Sequence, residues 1–148
     1  MELNAILVAT DFSDCSGVAF SAAQTLAQRF EARLILLHVI DQNFMDKLTN
    51  YVGKNKDEVA KELRRKAEKD MSTFLKQWNP GGMEVDTLIA TGTPFQEIAV
   101  LARDLVVDLV VVGGYGRKGR GKIEEMFFGS TAEKVVRLLP CPVLCIPK

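Results

Sequence analysis

Short apolar runs without polar alternation set the tightest limit on what this chain can become. Leu109-Val110-Val111-Val112 is an unbroken series of β-branched or leucine residues, and similar runs occupy residues 5–10 (AILVAT) and 33–39 (RLILLHV). A strand with one wet face alternates apolar and polar side chains, so an unbroken run asks for cover on both faces, the condition met in parallel sheets. Between the first two runs, apolar residues at 18, 19, 22, 23, 26, 27 and 30 keep a helical period, with Ser13 or Asp14 placed to cap the helix. Two strands bracketing one helix form a parallel unit whose crossover is right-handed.

The remaining chain extends this alternation. Residues 41–55 are polar and read as irregular. Over residues 57–78, Val59, Leu63, Ala67, Met71, Phe74 and Trp78 share one helical stripe, a core face, with Asp57/Lys61 and Glu62/Lys66 as i,i+4 pairs on the wet side. Asn79-Pro80-Gly81-Gly82 stops that helix, and residues 85–90 form a third strand. Thr93 as cap, with Pro94 at the first helical position, starts a helix that buries Ile98, Ala99, Leu101, Ala102 and Leu105. A further helix is expected at 132–138, and a proline-framed strand at Val143–Ile146 suits a sheet edge. The sum is an α/β fold: five parallel strands alternating with four helices, in one doubly wound sheet with helices on both faces and a single domain over residues 1–148. Ligands of such sheets sit beyond the carboxyl ends of the strands where the winding reverses, which with strand one beside strand four lies between Asp11 and Gly113.

The loop after the fourth strand carries Gly113, Gly114, Gly116, Gly119 and Gly121, and Gly129-Ser130-Thr131 precedes the next helix. Glycine lets backbone N–H groups approach a ligand closely, and a helix start offers unpaired amides and a favourable dipole to an anion. A phosphate chain is the expected guest. Gly114-x-Gly116-x-x-Gly119 matches the dinucleotide fingerprint in letters, but that motif needs a helix at once and an acid at the end of the next strand, where Ile146-Pro147-Lys148 stands. Residues 116–122 approach a Walker A loop, yet Ile123 occupies the place of the magnesium-binding Ser or Thr. A split cradle, with Gly113-x-x-Gly116 at the strand end and Gly129-Ser130 at the helix start, lacks none of its parts.

Nineteen basic residues balance nineteen acidic ones, leaving no global field to hold nucleic acid or an anionic membrane. Arg117, Lys118, Arg120 and Lys122 are the local exception, either a solvated charge run or a support for an anionic ligand. No apolar run nears the roughly 18 residues that span a bilayer, and the first residues lack the pattern of a signal peptide, so a cytoplasmic location is expected. Cys15, Cys141 and Cys145 have neither CxxC nor Cys/His metal spacing and read as small apolar fillers in a reducing compartment. His38, the single histidine, reads as a packed, hydrogen-bonded residue rather than a general base. Without a Ser/His/Asp, paired-carboxylate or metal constellation, a binding module is expected rather than an enzyme.

Together, Ala9-Thr10-Asp11-Phe12-Ser13, Leu36-Leu37-His38-Val39, Gly92-x-Pro94, the glycine loop, Gly129-Ser130-Thr131-Ala132-Glu133-Lys134 and Cys141-Pro142-Val143-Leu144 resemble the universal stress protein A family over the whole chain. The resemblance implies a strand order of 3-2-1-4-5 in an adenine nucleotide alpha hydrolase-like sheet. It also implies ATP binding, with or without Mg2+, and homodimers paired through the last strand, here Val143–Ile146. The family pattern Gly-x2-Gly-x9-Gly-Ser/Thr has nine residues before its third glycine, whereas twelve separate Gly116 from Gly129 here. A surface loop admits such an insertion for less than about 1 kcal/mol. Carried over by resemblance, Asp11 contacts the ribose, Val39 reads adenine through its backbone, and Gly113, Gly116, Gly129, Ser130 and Thr131 hold the phosphates. Asp11 as a plain loop-capping carboxylate is the competing reading. The function implied is that of an ATP-binding stress-response protein that senses nucleotide and signals through a protein partner. The alternatives are a homodimeric interaction protein of the same family that binds no nucleotide, and a slow ATPase.

Overall fold

In a computed structural model, which describes residues 1–114 and 139–147, the apolar runs lie side by side. Strand β1 (Ala5–Ala9) pairs on one edge with β2 (Arg33–Asp41) and on the other with β4 (Leu109–Gly113). Strand β3 (Asp86–Gly92) lies outside β2, and β5 (Val143–Ile146) outside β4, so the all-parallel order is β3-β2-β1-β4-β5. Because side chains alternate across a strand, each central run splits between two cores. Ile6, Val8, Leu34, Leu36, Leu109 and Val111 pack on one face with helices α1 (Asp14–Phe30) and α3 (Lys56–Trp78). Leu7, Ile35, Leu37, Val110 and Val112 pack on the other with α4 (Pro94–Asp104). Both faces are thus dry, which is why these runs carry no polar alternation.

Local chemistry explains where the helices begin. Ser13 caps α1, its side chain accepting a hydrogen bond from Ser16 N at 3.2 Å. Pro94 occupies the first turn of α4, but the preceding Thr93 side chain makes no capping bond there. Along α3, Val59, Ala67, Met71 and Phe74 are buried, while Leu63 and Trp78 are half-buried at the margin of the stripe. Its surface pairing differs from the expected one. Lys66 bonds Asp70 at 2.9 Å, and Glu62 bonds Lys54 across the preceding turn at 3.1 Å. These are exposed pairs, each contributing between zero and about 1 kcal/mol.

Residues 41–55 are not irregular. Helix α2 (Gln42–Val52) is capped by Asp41, whose side chain accepts from Asn43 N at 3.0 Å, and is closed by Gly53 at φ 66°. Both are ordinary helix boundaries. The helix escapes a periodicity reading because only Met45 is fully buried, while Phe44 and Tyr51 point outward. The third strand runs over Asp86–Gly92 rather than 85–90, and β2 continues two residues past Val39 to pair Asp41 with Gly92. The helix expected at 132–138 lies outside the described residues.

Candidate functional site

The site begins where β1 stops and its neighbours continue. Pairing of β1 with β2 ends at Ala9 and Leu37, followed by one more bond from Thr10 N to Leu37 O at 2.8 Å. The chain then turns into α1, while β2 runs on beside β3. Backbone polar groups alternate between the two edges of a strand, so those of Val39 face the same edge as those of Leu37, toward the space β1 has left. On the far side of that space β4 ends. Counting on from the Val8–Val111 pairing, Gly113 lies level with Thr10. Asp11, Val39 and Gly113, on three separate strands or their ends, therefore border one crevice at the carboxyl edge of the sheet, where the order reverses.

A hydrogen-bonded loop fixes the near wall. Ser16 Oγ donates to Ser13 O at 2.8 Å, so the 2.7 Å bond between Thr10 and Ser16 has the Thr10 hydroxyl as donor. Thr10 Oγ1 in turn accepts from Phe12 N at 2.9 Å, and Asp11 Oδ1 accepts from Ser13 N at 3.0 Å. Asp11 therefore is a loop-capping carboxylate through one oxygen. Its other oxygen makes no bond to a described residue, so the capping role and a ligand contact are compatible. His38 meets the same loop: its Nδ1 lies 2.8 Å from Thr10 O, and its ring stacks on Phe12 at a centroid distance of 4.2 Å.

The far wall is set by close packing. A Cβ on Gly113 would stand 2.9 Å from Cys15 O and 3.3 Å from Ser16 N, so β4 can end against the first turn of α1 only with glycine there. Gly113 thus has a packing reason to be glycine in addition to any contact with phosphate. Gly114 N donates to Ile146 O at 2.8 Å and ties the start of the glycine loop to β5. Gly116, Gly129, Ser130 and Thr131 lie outside the described residues.

Three of the expected site residues, Asp11, Val39 and Gly113, share the crevice. Sequence reasoning missed the supporting roles of Thr10 and Phe12, whereas His38 is the packed, hydrogen-bonded residue that was expected. The signal available was the Thr10-Asp11-Phe12-Ser13 string beside the only histidine. Burial raises the thiol pKa of Cys141 and Cys145, and the Asp108 charge raises that of Cys141 further, so both stay protonated fillers rather than nucleophiles. Among the described residues no group of three or more His, Cys, Asp or Glu side chains is arranged to hold a metal. An open groove of about 510 Å³ between mid-α1 and the turn after α3 is lined by Gln24, Trp78 and Asn79. Its amides already serve the fold, Gln24 bonding Asn79 at 2.9 Å and Asn79 bonding Met83 at 2.8 and 3.1 Å.

A model of the universal stress protein family matches residues 2–147. The chain belongs to that family. It is 32% identical to universal stress protein YxiE of Bacillus subtilis, with 97% of this chain and 98% of that protein aligned. It is 29% identical to universal stress protein MJ0577 of Methanocaldococcus jannaschii, over 97% of this chain and 94% of that one. The solved structure of MJ0577, at 27% identity, superposes with a TM-score of 0.77 and covers 100% of this chain and 98% of its own. A universal stress protein from Archaeoglobus fulgidus, solved in complex with dAMP, shares the fold at 22% identity, a TM-score of 0.63 and 99% coverage of both chains. The sheet is the adenine nucleotide alpha hydrolase-like one. Among the described residues no helix is long and apolar enough to cross a membrane.

Proposed function

We propose that this universal stress protein is a single-domain, cytoplasmic ATP-binding module that senses nucleotide and passes its state to a protein partner. The observation that carries the reading is the backbone of Val39, where β2 runs on past the end of its pairing with β1, with Asp11 and Gly113 around it. A peptide N–H and C=O facing one way offer the donor and acceptor that an adenine edge complements, and a carboxylate beside them suits a ribose hydroxyl. The phosphates would then run toward Gly113 and on to Gly116, Gly129, Ser130 and Thr131. Magnesium would arrive bound to the triphosphate, since that ion keeps several waters and prefers phosphate partners to an all-protein cage. That a family member has been solved with dAMP accords with an adenine nucleotide as ligand.

Titration with Mg-ATP while following thermal unfolding tests this. At 100 times Kd the ligand should add about 2.7 kcal/mol of stability. No shift at millimolar ATP would leave the non-nucleotide interaction protein as the reading. ADP accumulating above the uncatalysed rate would convert the module into a slow ATPase.

A homodimer through Val143–Ile146 belongs to the same proposal. The two outer strands differ in kind. β3 exposes Asp86, Thr87 and Thr91, the polar edge of a strand that avoids association, whereas β5 exposes Val143 and Leu144 at 42% and 37%. A two-fold copy covers such an edge with the same residues on each side. Leu144→Lys should therefore yield a monomer by sedimentation equilibrium, with a melting temperature that no longer rises with protein concentration. A wild-type chain that sediments at 16.4 kDa at tens of micromolar removes the dimer.

A further inference from the structure

Phe12 is the feature of the crevice that sequence alone does not explain. It holds φ 67°, a left-handed conformation that bulky side chains rarely adopt and that persists only where the surroundings over-determine it. Those surroundings are visible. The Phe12 ring stacks on His38 and meets Phe74 edge-on at 6.0 Å, and its amide is held by the Thr10 hydroxyl. One peptide earlier, Thr10 O lies 2.8 Å from His38 Nδ1. A carbonyl oxygen only accepts, so Nδ1 carries the proton and donates. The bond that joins Thr10 to Asp11 is thus pinned at its carbonyl by the imidazole, while the next residue is pinned by its ring against the same imidazole.

We propose that His38 is a positioning residue for the nucleotide site: by clamping the Thr10 carbonyl and the Phe12 ring it holds the Asp11 carboxylate toward the ribose and so sets selectivity for the sugar hydroxyls. This rests on the ATP-binding reading. His38 itself does not touch the ligand. Its side chain lies on the α1/α3 face of β2, whereas the Val39 backbone that faces the crevice belongs to the next residue, so histidine acts through the loop. Leucine at 38 would keep the apolar packing but remove the donor. Asparagine would restore an N–H close to the place of Nδ1.

The test compares wild type, His38→Leu and His38→Asn by calorimetric titration with ATP, 2′,3′-dideoxyATP and inorganic triphosphate. Wild type should prefer ATP over the dideoxy analogue by about tenfold or more, the size of a hydrogen bond to a charged group. In His38→Leu that preference should collapse toward unity with triphosphate affinity unchanged, and His38→Asn should recover most of it. A preference that survives in His38→Leu, or one absent from wild type, overturns the assignment. Amide hydrogen exchange supplies a readout independent of ligand, because Phe12 N and Ser13 N are bonded only within this loop. Both should exchange faster in His38→Leu while α1 stays protected. If wild type binds no nucleotide, the ATP reading fails and sugar selectivity with it. Unchanged exchange at Phe12 and Ser13 would overturn the clamp as well.

Discussion

Phe74→Ala should lower the free energy of unfolding by about 3–5 kcal/mol, the range for deleting a buried aromatic ring. The side chain is 3% exposed and stands at the centre of an aromatic group, with Phe20 at 5.7 Å, Phe12 at 6.0 Å and Trp78 at 6.2 Å between ring centroids. Removing it opens a cavity between α1 and α3 that the neighbouring rings cannot fill together. The flanking helices approach too closely to rearrange freely, since a Cβ at Gly17 on α1 would overlap the Trp78 ring. Denaturant titration should show the loss as a lower midpoint with an unchanged slope. A loss below about 1 kcal/mol would mean that α3 is not docked on α1 through this residue, which falls outside the range for a buried ring.

Gly113→Ala should cost about 1–3 kcal/mol with no ligand present, the usual size of an overpacked contact. The added methyl would lie 2.9 Å from Cys15 O and 3.0 Å from Cys15 C, and both are backbone of the first turn of α1, which has no rotamer to change. Either the end of β4 or the start of α1 must move, so the amide signals of residues 13–16 should shift as stability falls. Gly114→Ala is the matched control. Its methyl would meet Ile146 O and Pro147 Cα at 3.4 Å, ordinary contact distance, and little change is expected. Equal stability of the two variants would remove the packing role of Gly113, whereas the expected difference assigns that role independently of any ligand.

The strands were legible because burial on both faces writes itself directly into composition. Ile6 to Val8 and Leu109 to Val112 have no wet side, so no polar residue interrupts them. Helix α2 was not legible by period, since its apolar residues Phe44, Tyr51 and Val52 are exposed and do not mark a core face. Its signals were the boundaries, Asp41 and Gly53, which a reading of caps would have caught. The same contrast holds at the crevice. Asp11 and Gly113 stand at the ends of recognisable strands, so their place followed from topology alone. The stacking of Phe12 on His38, the His38 bond to Thr10 and the contact of Gly113 with α1 each join residues far apart in the chain, and no local pattern encodes them.

Asp108 Oδ2 receives the N–H groups of Asn4 and Ala5 at 2.8 and 3.0 Å, at the start of the central strand. Asn4 and Asp108 are 104 positions apart. The middle of the sheet is therefore joined by the widest chain separation these hydrogen bonds span, and β1 shows an open edge until β4 exists. At about 5–20 residues per second of synthesis, that edge waits for about 5–20 s after β1 has emerged. Loop closure over such a span comes late, because its entropy must be met before the pairing returns anything. Refolding should accordingly be governed by the meeting of β1 and β4, with the β1-α1-β2 unit formed first. The part of the molecule that is most buried at the end is the part that stays exposed longest on the way there.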